Sequence, residues 1–290
     1  MSDGAIGIIG GSGLYDIEGL TDIEEVSIET PFGDPSDKFT VGIFGGRRLA
    51  FLPRHGRGHR ISPTDLNSRA NIYGFKLLGV EQIISVSAVG SMREDIEPLD
   101  IVVPDQILDR TKARPSTFFS EGLVVHVGFA DPFCPIASGV LYEAAKLAGA
   151  RVHKGGTYVC IEGPQFSTRA ESRVYRQWGV DVIGMTALPE AKLAREAEIC
   201  YVTLALATDY DVWHQTEEPV TVEMIVANLL RNVEMAKAII KRAVPLMPQA
   251  RECACASALE SAIITQRNLI PQRTRQRVSA LIKKYTGDDA

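Results

Sequence analysis

The chain has 290 residues, and its 31 Lys plus Arg against 36 Asp plus Glu give a formal net charge of −5. This acidic balance excludes a protein that holds nucleic acid through its overall charge, because phosphate neutralisation needs clustered cations, although it allows a local basic pocket. The hydrophobic fraction of 45% excludes a disordered chain. No run reaches the roughly 18 apolar residues of a membrane span, and the N-terminal residues lack the basic region of a secretory signal. We therefore expect a cytoplasmic protein with neither a membrane nor a nucleic acid as partner.

Apolar runs alternate with helical patterns along the chain. The runs predict eight strands: Ala5–Ile9, Phe39–Phe44, Arg48–Leu52, Gln82–Val86, Ile101–Val103, Thr157–Ile161, Val180–Ile183 and Ile199–Ala207. The patterns between them predict five helices: Thr64–Leu78, Ile136–Ala148, Thr168–Trp178, Ala187–Arg195 and Val222–Val244. Several runs are continuous, as in strands covered on both faces. The order predicts an α/β protein of three layers, with a mixed central sheet flanked by helices.

The long final helix should end near Pro245 and Pro248. We therefore predict a catalytic domain over residues 1–249 and a short helical C-terminal extension over 250–290. Within the extension, Ala256–Ile263 and Thr274–Tyr285 are predicted as two short helices.

The five cysteines, at 134, 160, 200, 253 and 255, are too few and too scattered for a disulfide framework. We expect reduced thiols, with a stabilising or redox bridge at Cys253 and Cys255 as the alternative. No zinc site is predicted, because no second Cys or His pair stands at ligand spacing.

The first motif that carries chemistry is the glycine-rich segment Gly7–Gly13, directly after a strand. Its glycines let backbone N–H groups approach an anion, and Ser12 adds a hydroxyl. A dinucleotide fingerprint fails because Asp16 stands where Gly or Ala is needed, and a P-loop fails because Gly-Lys-Ser/Thr is absent. The alternative is a tight strand-to-loop turn.

The second motif is the loop Pro53–His59. His55 and His59 are four apart, but the two glycines between them make a helix, and hence a helical metal site, improbable. Arg54 and its neighbouring arginines instead indicate an anion site, since a guanidinium matches phosphate oxygens. The alternative is a solvated basic loop.

The third motif, Ser85–Gly90, joins a buried strand to a turn of small residues. Ser87 offers a hydroxyl and Ala88 a backbone N–H to the same anion. Taken alone, this motif is unspecific.

The fourth motif, Ile161–Ser172, joins a strand to a helix. Thr168 is predicted to cap that helix, with Glu171 at capping-box spacing. Phe166 lies in the loop, where it either stacks on a flat ligand or plugs the core.

The fifth motif, Ala207–Trp213, follows the most apolar strand. Asp209 and Asp211 are two apart, so they face the same way in extended backbone. Carboxyl groups at the exit of a buried strand are candidates for a raised pKa and for general acid catalysis. Their alternative role is to cap a loop or helix.

Taken together and in order, the segments GGSG, RHG, SAVGS, EGPQFSTRAES, GMTALPEA and ATDYD resemble the methylthioadenosine phosphorylases of the purine nucleoside phosphorylase superfamily, from about Ile6 to Pro248. The resemblance implies a pentosyltransferase that uses inorganic phosphate to split 5′-methylthioadenosine into adenine and 5-methylthioribose 1-phosphate, in purine and methionine salvage. It implies no metal and no organic cofactor. It also implies a homo-oligomer, as a trimer or a hexamer.

The resemblance also assigns residues. Phosphate would be held by Ser12, Arg54, His55, Ser87, Ala88 and Thr186. Ser12 and Ser87 stand where many members carry Thr, and both keep the hydroxyl. Arg54 and His55 would supply positive charge.

The same resemblance assigns the purine and the ribose. Phe166 would lie against the purine and Met185 along the ribose, while Asp209 and Asp211 would read N7 and the 6-amino edge and carry the acid. The methylthio group would lie among His126, Val222 and Ile225, partly in a neighbouring subunit.

Three rivals compete with this interpretation. A phosphorylase of 6-oxopurine nucleosides or of methylthioinosine is the nearest, but such members tend to carry Asn at the place of Asp209. A hydrolytic nucleosidase would not need the Arg54–His55 anion loop. A purine-binding protein without activity would not need phosphate ligands and an acid together.

Overall fold

The computed structural model describes residues 4–11, 13–214 and 222–287, except for the side chains of residues 222–226 and 229. Within these ranges one mixed sheet contains β1 (Ala5–Gly10), β2 (Thr21–Val26), β3 (Phe39–Phe44), β4 (Arg47–Pro53), β5 (Val80–Ser91), β6 (Ile101–Val103), β7 (Gln106–Arg110), β8 (Val152–Lys154), β9 (Thr157–Ile161), β10 (Val182–Gly184) and β11 (Cys200–Asp209). The helices are α1 (Ser68–Leu77), α2 (Pro135–Leu147), α3 (Arg169–Gln177), α4 (Ala187–Glu196), α5 (Val222–Leu246), α6 (Gln272–Arg277) and α7 (Ser279–Thr286). None of the described helices combines the length and apolarity needed to cross a bilayer.

The sheet is covered on both faces. Helices α2 and α5 pack side chains such as Leu141 and Ile240 into one apolar cluster, together with Ile84 of β5. Helices α1, α4 and α7 pack side chains such as Phe75 and Ile282 into another cluster. This confirms the predicted three-layer α/β fold, and it explains why the central strands are apolar without alternation.

Strand β5 organises the centre of the sheet. Its first part pairs parallel with β1, and that ladder ends where Ile9 faces Ser85. Its last residues pair antiparallel with β10, beginning where Gly90 faces Ile183. Strand β11 runs parallel along the other side of β5. Residues 86–89 therefore have a strand neighbour on one side only, and a gap opens where β5 changes partners. Ligands bind at such switch points in open α/β sheets.

Three strands escaped prediction because they lack a buried apolar pattern. Strand β2 is exposed along almost its whole length, β7 is polar, and β8 has three residues. The other eight strands lie at the predicted places, with ends that differ by a few residues.

The predicted helix Ala256–Ile263 is wrong. The structure has a short 3₁₀ helix at Ala254–Ser257 followed by turns, because Ile263 forms an extended bridge with Val125. The predicted helix Thr274–Tyr285 is divided into α6 and α7 at Val278, whose backbone is not helical.

The C-terminal extension is not a detached tail. Leu259, Ile270, Val278, Leu281 and Ile282 are buried in the same cluster as α1 and α4. The domain boundary at residue 249 stays a prediction, and the extension contributes side chains to the core of the body.

Ile282→Ala should therefore lower the free energy of unfolding by about 2–5 kcal/mol, because it leaves a cavity in the shared core. Gln276→Ala, at an exposed position of α6, is the matched control and should change it by less than about 0.5 kcal/mol. Urea unfolding followed by fluorescence measures both. An Ile282→Ala protein as stable as the wild type would mean that the extension contributes little to the fold.

Candidate active site

Two hydroxyl groups face each other across the gap beside β5. Ser87 Oγ and Thr186 Oγ1 lie 2.7 Å apart, on β5 and on the loop between β10 and α4. Ala88, the next residue of β5, is exposed even though it lies in a central strand. The gap thus offers two hydroxyls and unpaired strand backbone, which are groups that bind an anion. The structure brings together three of the predicted phosphate ligands.

Arg54 lies beneath this gap in a buried ion pair that the sequence did not reveal. Its Nε donates to Glu190 Oε1 at 2.6 Å, and its Nη2 donates to Glu190 Oε2 at 3.1 Å. Nη1 donates to the Val86 carbonyl at 2.8 Å, and Nη2 also donates to Ser85 Oγ at 2.7 Å. Burial alone would lower the pKa of Arg54, but the attraction of the Glu190 carboxylate outweighs the effect of burial, so that the pKa of Arg54 is raised. The fork expected for phosphate is therefore occupied by Glu190, and direct contact of Arg54 with phosphate stays a prediction.

His55 is neutral in this structure. Burial, together with the adjacent Arg54 charge, lowers the pKa of His55 to about 4. Its Nδ1 lies 2.8 Å from the Ile61 carbonyl, which can only accept, so Nδ1 carries the proton and Nε2 is left as an acceptor. The ring therefore does not bring the positive charge that the sequence suggested. It offers a base in place of a cation.

The remaining arginines of this loop serve other contacts. Arg57 pairs with Glu25 at 2.5 Å, and Arg60 lies 4.0 Å from Asp37. They are largely exposed and are matched by acids, so they add little positive charge to the gap. Ser12, the predicted hydroxyl of the glycine segment, lies outside the described residues.

The two carboxyl groups at the end of β11 lie over Gly90 of β5. A Cβ at Gly90 would come within 3.0 Å of Asp209 Oδ1 and 3.3 Å of Asp211 Cβ. Asp209 accepts from Thr208 Oγ1 at 2.7 Å and from the Asp211 N–H at 2.8 Å. Burial raises the pKa of Asp209, although these two hydrogen bonds oppose the rise. Burial thus makes the Asp209 carboxyl easier to protonate than an ordinary surface carboxyl.

Asp211 is held in place by a short hydrogen bond from helix α3. Ser172 Oγ of α3 donates to its Oδ2 at 2.5 Å. Burial raises the pKa of Asp211 to about 6, and the neighbouring Asp209 adds to the rise. Thr168 caps α3 with Glu171 in the predicted capping box, and this fixes the helix that presents Ser172. Nothing in the sequence singled out Ser172, which is an ordinary helical serine.

The predicted purine and ribose contacts lie on the neighbouring loops. Phe166 is 59% exposed between β9 and α3, so it does not plug the core. Met185 follows β10 and packs against the small cluster that contains Met92 and Ile183. The Arg114 guanidinium, which the sequence missed, donates to the Met185 carbonyl at 2.6 Å and to the Glu162 carbonyl. Arg114 thus connects the loop after β10 with the loop after β9.

The predicted methylthio contacts are less well defined. His126 lies against the C-terminal extension, where its backbone N–H donates to the Ala262 carbonyl at 2.9 Å. Val222 and Ile225 belong to α5, but their side chains lie outside the described residues. Asn228 of the same helix donates to the Thr208 carbonyl at 2.7 Å, which places this part of α5 beside the end of β11.

The site spans two parts of β5. Ser87 and Gly90 are three residues apart on the strand, which is about 10 Å. An anion bound beside Ser87 and a purine ring bound beside Gly90 would leave room for one sugar between them. A hydroxyl-lined gap and a partly buried carboxyl group at that separation fit an enzyme that transfers a glycosyl group to an anion.

Comparison with known proteins agrees with this class. The family model of the phosphorylase superfamily matches residues 5–245. An S-methyl-5′-thioadenosine phosphorylase of Geobacter sulfurreducens is 60% identical over 281 residues, which cover 97% of this chain and 98% of the relative. One of Koribacter versatilis is 59% identical over 283 residues, which cover 98% and 97%. The chain therefore belongs to the phosphorylase superfamily.

Solved structures are similar over the same length. A methylthioadenosine phosphorylase from an antarctic soil metagenomic library is 50% identical, with a TM-score of 0.92 over 97% of this chain and 99% of that one. A methylthioadenosine phosphorylase of Schistosoma mansoni in complex with adenine is 35% identical, with a TM-score of 0.85 over 90% and 99%.

Glu190→Gln should lower the free energy of unfolding by about 3–5 kcal/mol, because it leaves the Arg54 charge buried without its counter-ion. Urea unfolding at pH 8 measures the change. A loss below about 1 kcal/mol would mean that the pair does not hold the site together.

Glu196→Gln is the matched control on the same helix. Glu196 is also buried, but it accepts from the Thr117 hydroxyl and the Phe118 N–H without an arginine partner. Burial raises the pKa of Glu196 to about 7, so its stabilising contribution is lost as the pH rises through that value. The Gln variant should match or exceed wild-type stability at pH 8.

Proposed function

We propose that this protein catalyses the phosphorolysis of 5′-methylthioadenosine to adenine and 5-methylthioribose 1-phosphate, as a pentosyltransferase of purine and methionine salvage. The observation that carries the proposal is the Ser87–Thr186 hydroxyl pair in the gap of β5, with Asp209 at the end of the neighbouring strand β11, over Gly90 of β5. Names of the relatives at 59% and 60% identity support the choice of nucleoside.

Phosphate occupies the gap as the nucleophile. Ser12, Ser87 and Thr186 donate hydroxyl hydrogen bonds to it, and the Ala88 N–H adds a fourth. Neutral His55 accepts a hydrogen bond from a phosphate O–H at Nε2, the proton staying on the phosphate, and so turns an oxygen lone pair toward C1′. Arg54, paired with Glu190, holds the Val86 carbonyl and the Ser85 hydroxyl of β5 in place beneath the gap. Fixed donors around an anion cost no reorganisation as the reaction proceeds.

The purine leaves toward Asp209. As the phosphate oxygen forms its bond to C1′, the C1′–N9 bond breaks and its electron pair moves into the purine. The protonated Asp209 carboxyl delivers its proton to N7 and neutralises the leaving group. Asp211 positions Asp209 through its backbone N–H and faces the same edge of the purine. Phe166 covers the purine ring, and Met185 lies along the ribose.

The base preference follows from the same carboxyl groups. While the O–H of the Asp209 carboxyl donates to N7, its other oxygen accepts a hydrogen bond from a 6-amino group, whereas it repels the oxygen of a 6-oxo group. Asp209 and Asp211 therefore favour adenine nucleosides over inosine or methylthioinosine, the nearest alternative substrates. The reaction needs no metal and no organic cofactor, because phosphate is itself the nucleophile.

We further propose that the methylthio pocket is completed by a second copy of the chain in a homotrimer. Val222 and Ile225 of one subunit would meet His126 of another. Exposed apolar side chains beside His126 support this, since Val124 is 48% and Ile264 is 60% exposed. Such neighbouring apolar groups mark interaction surfaces. The cytoplasm is the compartment in which we place the enzyme, on the grounds of its few scattered cysteines.

The assay that tests the proposal follows free adenine from methylthioadenosine with and without inorganic phosphate. We expect adenine only when phosphate is present, together with a sugar 1-phosphate detected by ³¹P NMR. Adenine release at the same rate without phosphate would identify a hydrolytic nucleosidase. Inosine cleaved faster than methylthioadenosine would identify the 6-oxopurine alternative.

Removing either hydroxyl from the gap should weaken phosphate binding. Ser87→Ala and Thr186→Val should each raise the KM for phosphate by about 10-fold or more, because a hydrogen bond to a charged group contributes about 1.5–3 kcal/mol. Ser91→Ala on the same strand is the control, since the Ser91 hydroxyl donates to the Arg93 carbonyl. Phosphate kinetics unchanged in both hydroxyl variants would move the anion to another site.

Asp209→Asn separates proton transfer from hydrogen bonding, because the amide donates to N7 but cannot transfer a proton. We expect kcat with methylthioadenosine to fall by about 10²- to 10⁴-fold. The alkaline decline of the pH profile should disappear, because the wild-type enzyme loses activity as Asp209 deprotonates. Relative activity on methylthioinosine should rise.

Asp211→Asn is the matched comparison. It removes a carboxyl group at the same edge but leaves the proposed acid in place, so its loss in kcat should be smaller. A larger loss in Asp211→Asn than in Asp209→Asn would assign the acid to Asp211.

A further inference from the structure

Four of the five cysteines meet at the end of the sheet away from the candidate active site. The Sγ atoms of Cys134, Cys200, Cys253 and Cys255 all lie within 4.8 Å of one another. Cys134, Cys200 and Cys255 are at most 3% exposed, and Cys253 is half-buried. Sequence spacing did not reveal this cluster, because Cys134 and Cys200 are far apart in the chain and far from Cys253.

The four sulfurs lie close enough together to surround one metal ion. Cys200 Sγ and Cys253 Sγ lie 3.2 Å apart, whereas a disulfide bond measures about 2.05 Å. All five cysteines are free thiols in the structure. In a tetrahedral zinc site with Zn–S bonds of about 2.3 Å, neighbouring sulfurs lie about 3.8 Å apart. The observed range of separations includes this value.

The fold places these cysteines on three separate segments. Cys134 is the residue that precedes α2, and its backbone N–H donates to the Tyr201 carbonyl at 2.9 Å, next to Cys200 at the start of β11. Cys253 and Cys255 enclose the first residue of the 3₁₀ helix in the C-terminal extension. Arg251 anchors this segment independently, by an ion pair of 3.2 Å with Glu81. The four ligand atoms are therefore brought together by contacts that do not need a metal.

We propose that Cys134, Cys200, Cys253 and Cys255 form a structural zinc site. Four soft sulfur ligands select Zn²⁺ among the common divalent ions, and a closed set of four protein ligands is typical of structural sites. Binding converts four thiols to thiolates and releases four protons, so that the bound site carries a net charge of −2. The N-terminus of α2 at Cys134 and the nearby Arg251 oppose this charge.

The surroundings suit such a site. A small pocket lined by Ile136, Ala137, Pro248, Arg251 and Glu252 reaches three of the cysteines and gives the ion a way in. Its apolar residues limit the access of water to the sulfurs. The single carboxylate, Glu252, is outnumbered by the thiolates, which bind zinc more strongly than oxygen ligands do.

The zinc ion would connect the extension to the body of the protein and take no part in catalysis. Cys200 and Asp209 are the two ends of β11, about 30 Å apart. The ion would join the start of α2, the start of β11 and the segment after α5. Loss of the metal should therefore reduce stability and leave the chemistry of the active site intact.

Metal analysis of the full-length protein tests the proposal. The protein is purified without chelator, under a phosphine reductant that keeps thiols reduced, and is then dialysed against zinc and against metal-free buffer. We expect one zinc ion per chain by mass spectrometry of the metal content. The double variant Cys253→Ser/Cys255→Ser should lose it. Cys160→Ala, which removes the buried cysteine outside the cluster, should keep it.

Two further measurements give readouts that do not depend on activity. Replacing zinc with Co²⁺ should give the intense visible absorption of tetrahedral cobalt thiolate, and Cys160→Ala should preserve this absorption. Removing the metal with a chelator should lower the Tm, and added zinc should restore it. The rate of adenine release at low temperature should stay within about 2-fold of the wild type in the double variant, as for a change distant from the site.

Three results would overturn the proposal. One is a reduced protein that takes up no zinc after dialysis, although all four cysteines react as free thiols with an alkylating reagent once the protein is denatured. Another is an intact mass lower by the four hydrogens of two disulfide bonds in protein taken directly from cells. The third is iron or copper in place of zinc at one ion per chain.

Discussion

The buried ion pair between Arg54 and Glu190 is the constraint on which the rest of the site depends. Arg54 follows β4, and its guanidinium reaches the Ser85 hydroxyl on β5 and Glu190 on α4. Tyr201 of β11 donates to Glu190 Oε2 at 2.9 Å and so brings a further strand into the network. Removing two charges from water is costly, and this cost is recovered only when every donor and acceptor is matched. The network therefore allows one arrangement of these elements.

That arrangement determines where the chemistry can occur. Because β5 leaves β1 at Ser85 and joins β10 at Gly90, a gap opens directly above the ion pair. Ser87 and Thr186 line the gap from two different elements, and their 2.7 Å separation depends on α4 staying in place. The buried ion pair and the candidate anion site thus depend on the same contacts. Farther along β5, Gly90 lies beside the two carboxyl groups at the end of β11.

The sequence predicted the parts of this structure that have a local signature. Continuous apolar runs gave the central strands, and the capping box gave the start of α3 at Thr168. The exposed strand β2 gave no such signal, and the segment near Ile263 was mistaken for a helix because its pairing with Val125 is distant in the chain. Whether a residue is buried depends on the residues packed against it in space. A single sequence therefore reveals burial only where apolar residues recur with a regular period.

The site shows the same division. Candidate ligands such as Ser87, Thr186 and Asp209 could be named from motifs and from the family resemblance. The states of charged groups could not, because they depend on contacts. From the sequence, the Arg54 guanidinium is expected to be available to phosphate, whereas in the structure it is paired with Glu190. His55 looked cationic until its burial was known. The cluster of four cysteines is a further example, because its members come from three segments that are distant in the chain and share no local sequence motif.

A crystal structure of the protein with adenine and inorganic phosphate bound together tests the central claim most directly. We expect phosphate oxygens within hydrogen-bonding distance of Ser87 Oγ and Thr186 Oγ1, and Asp209 within hydrogen-bonding distance of adenine N7. The ion pair of Arg54 with Glu190 should be unchanged beneath the phosphate. A phosphate bound away from the gap in β5, or an Arg54 side chain that leaves Glu190 to hold it, would contradict this account.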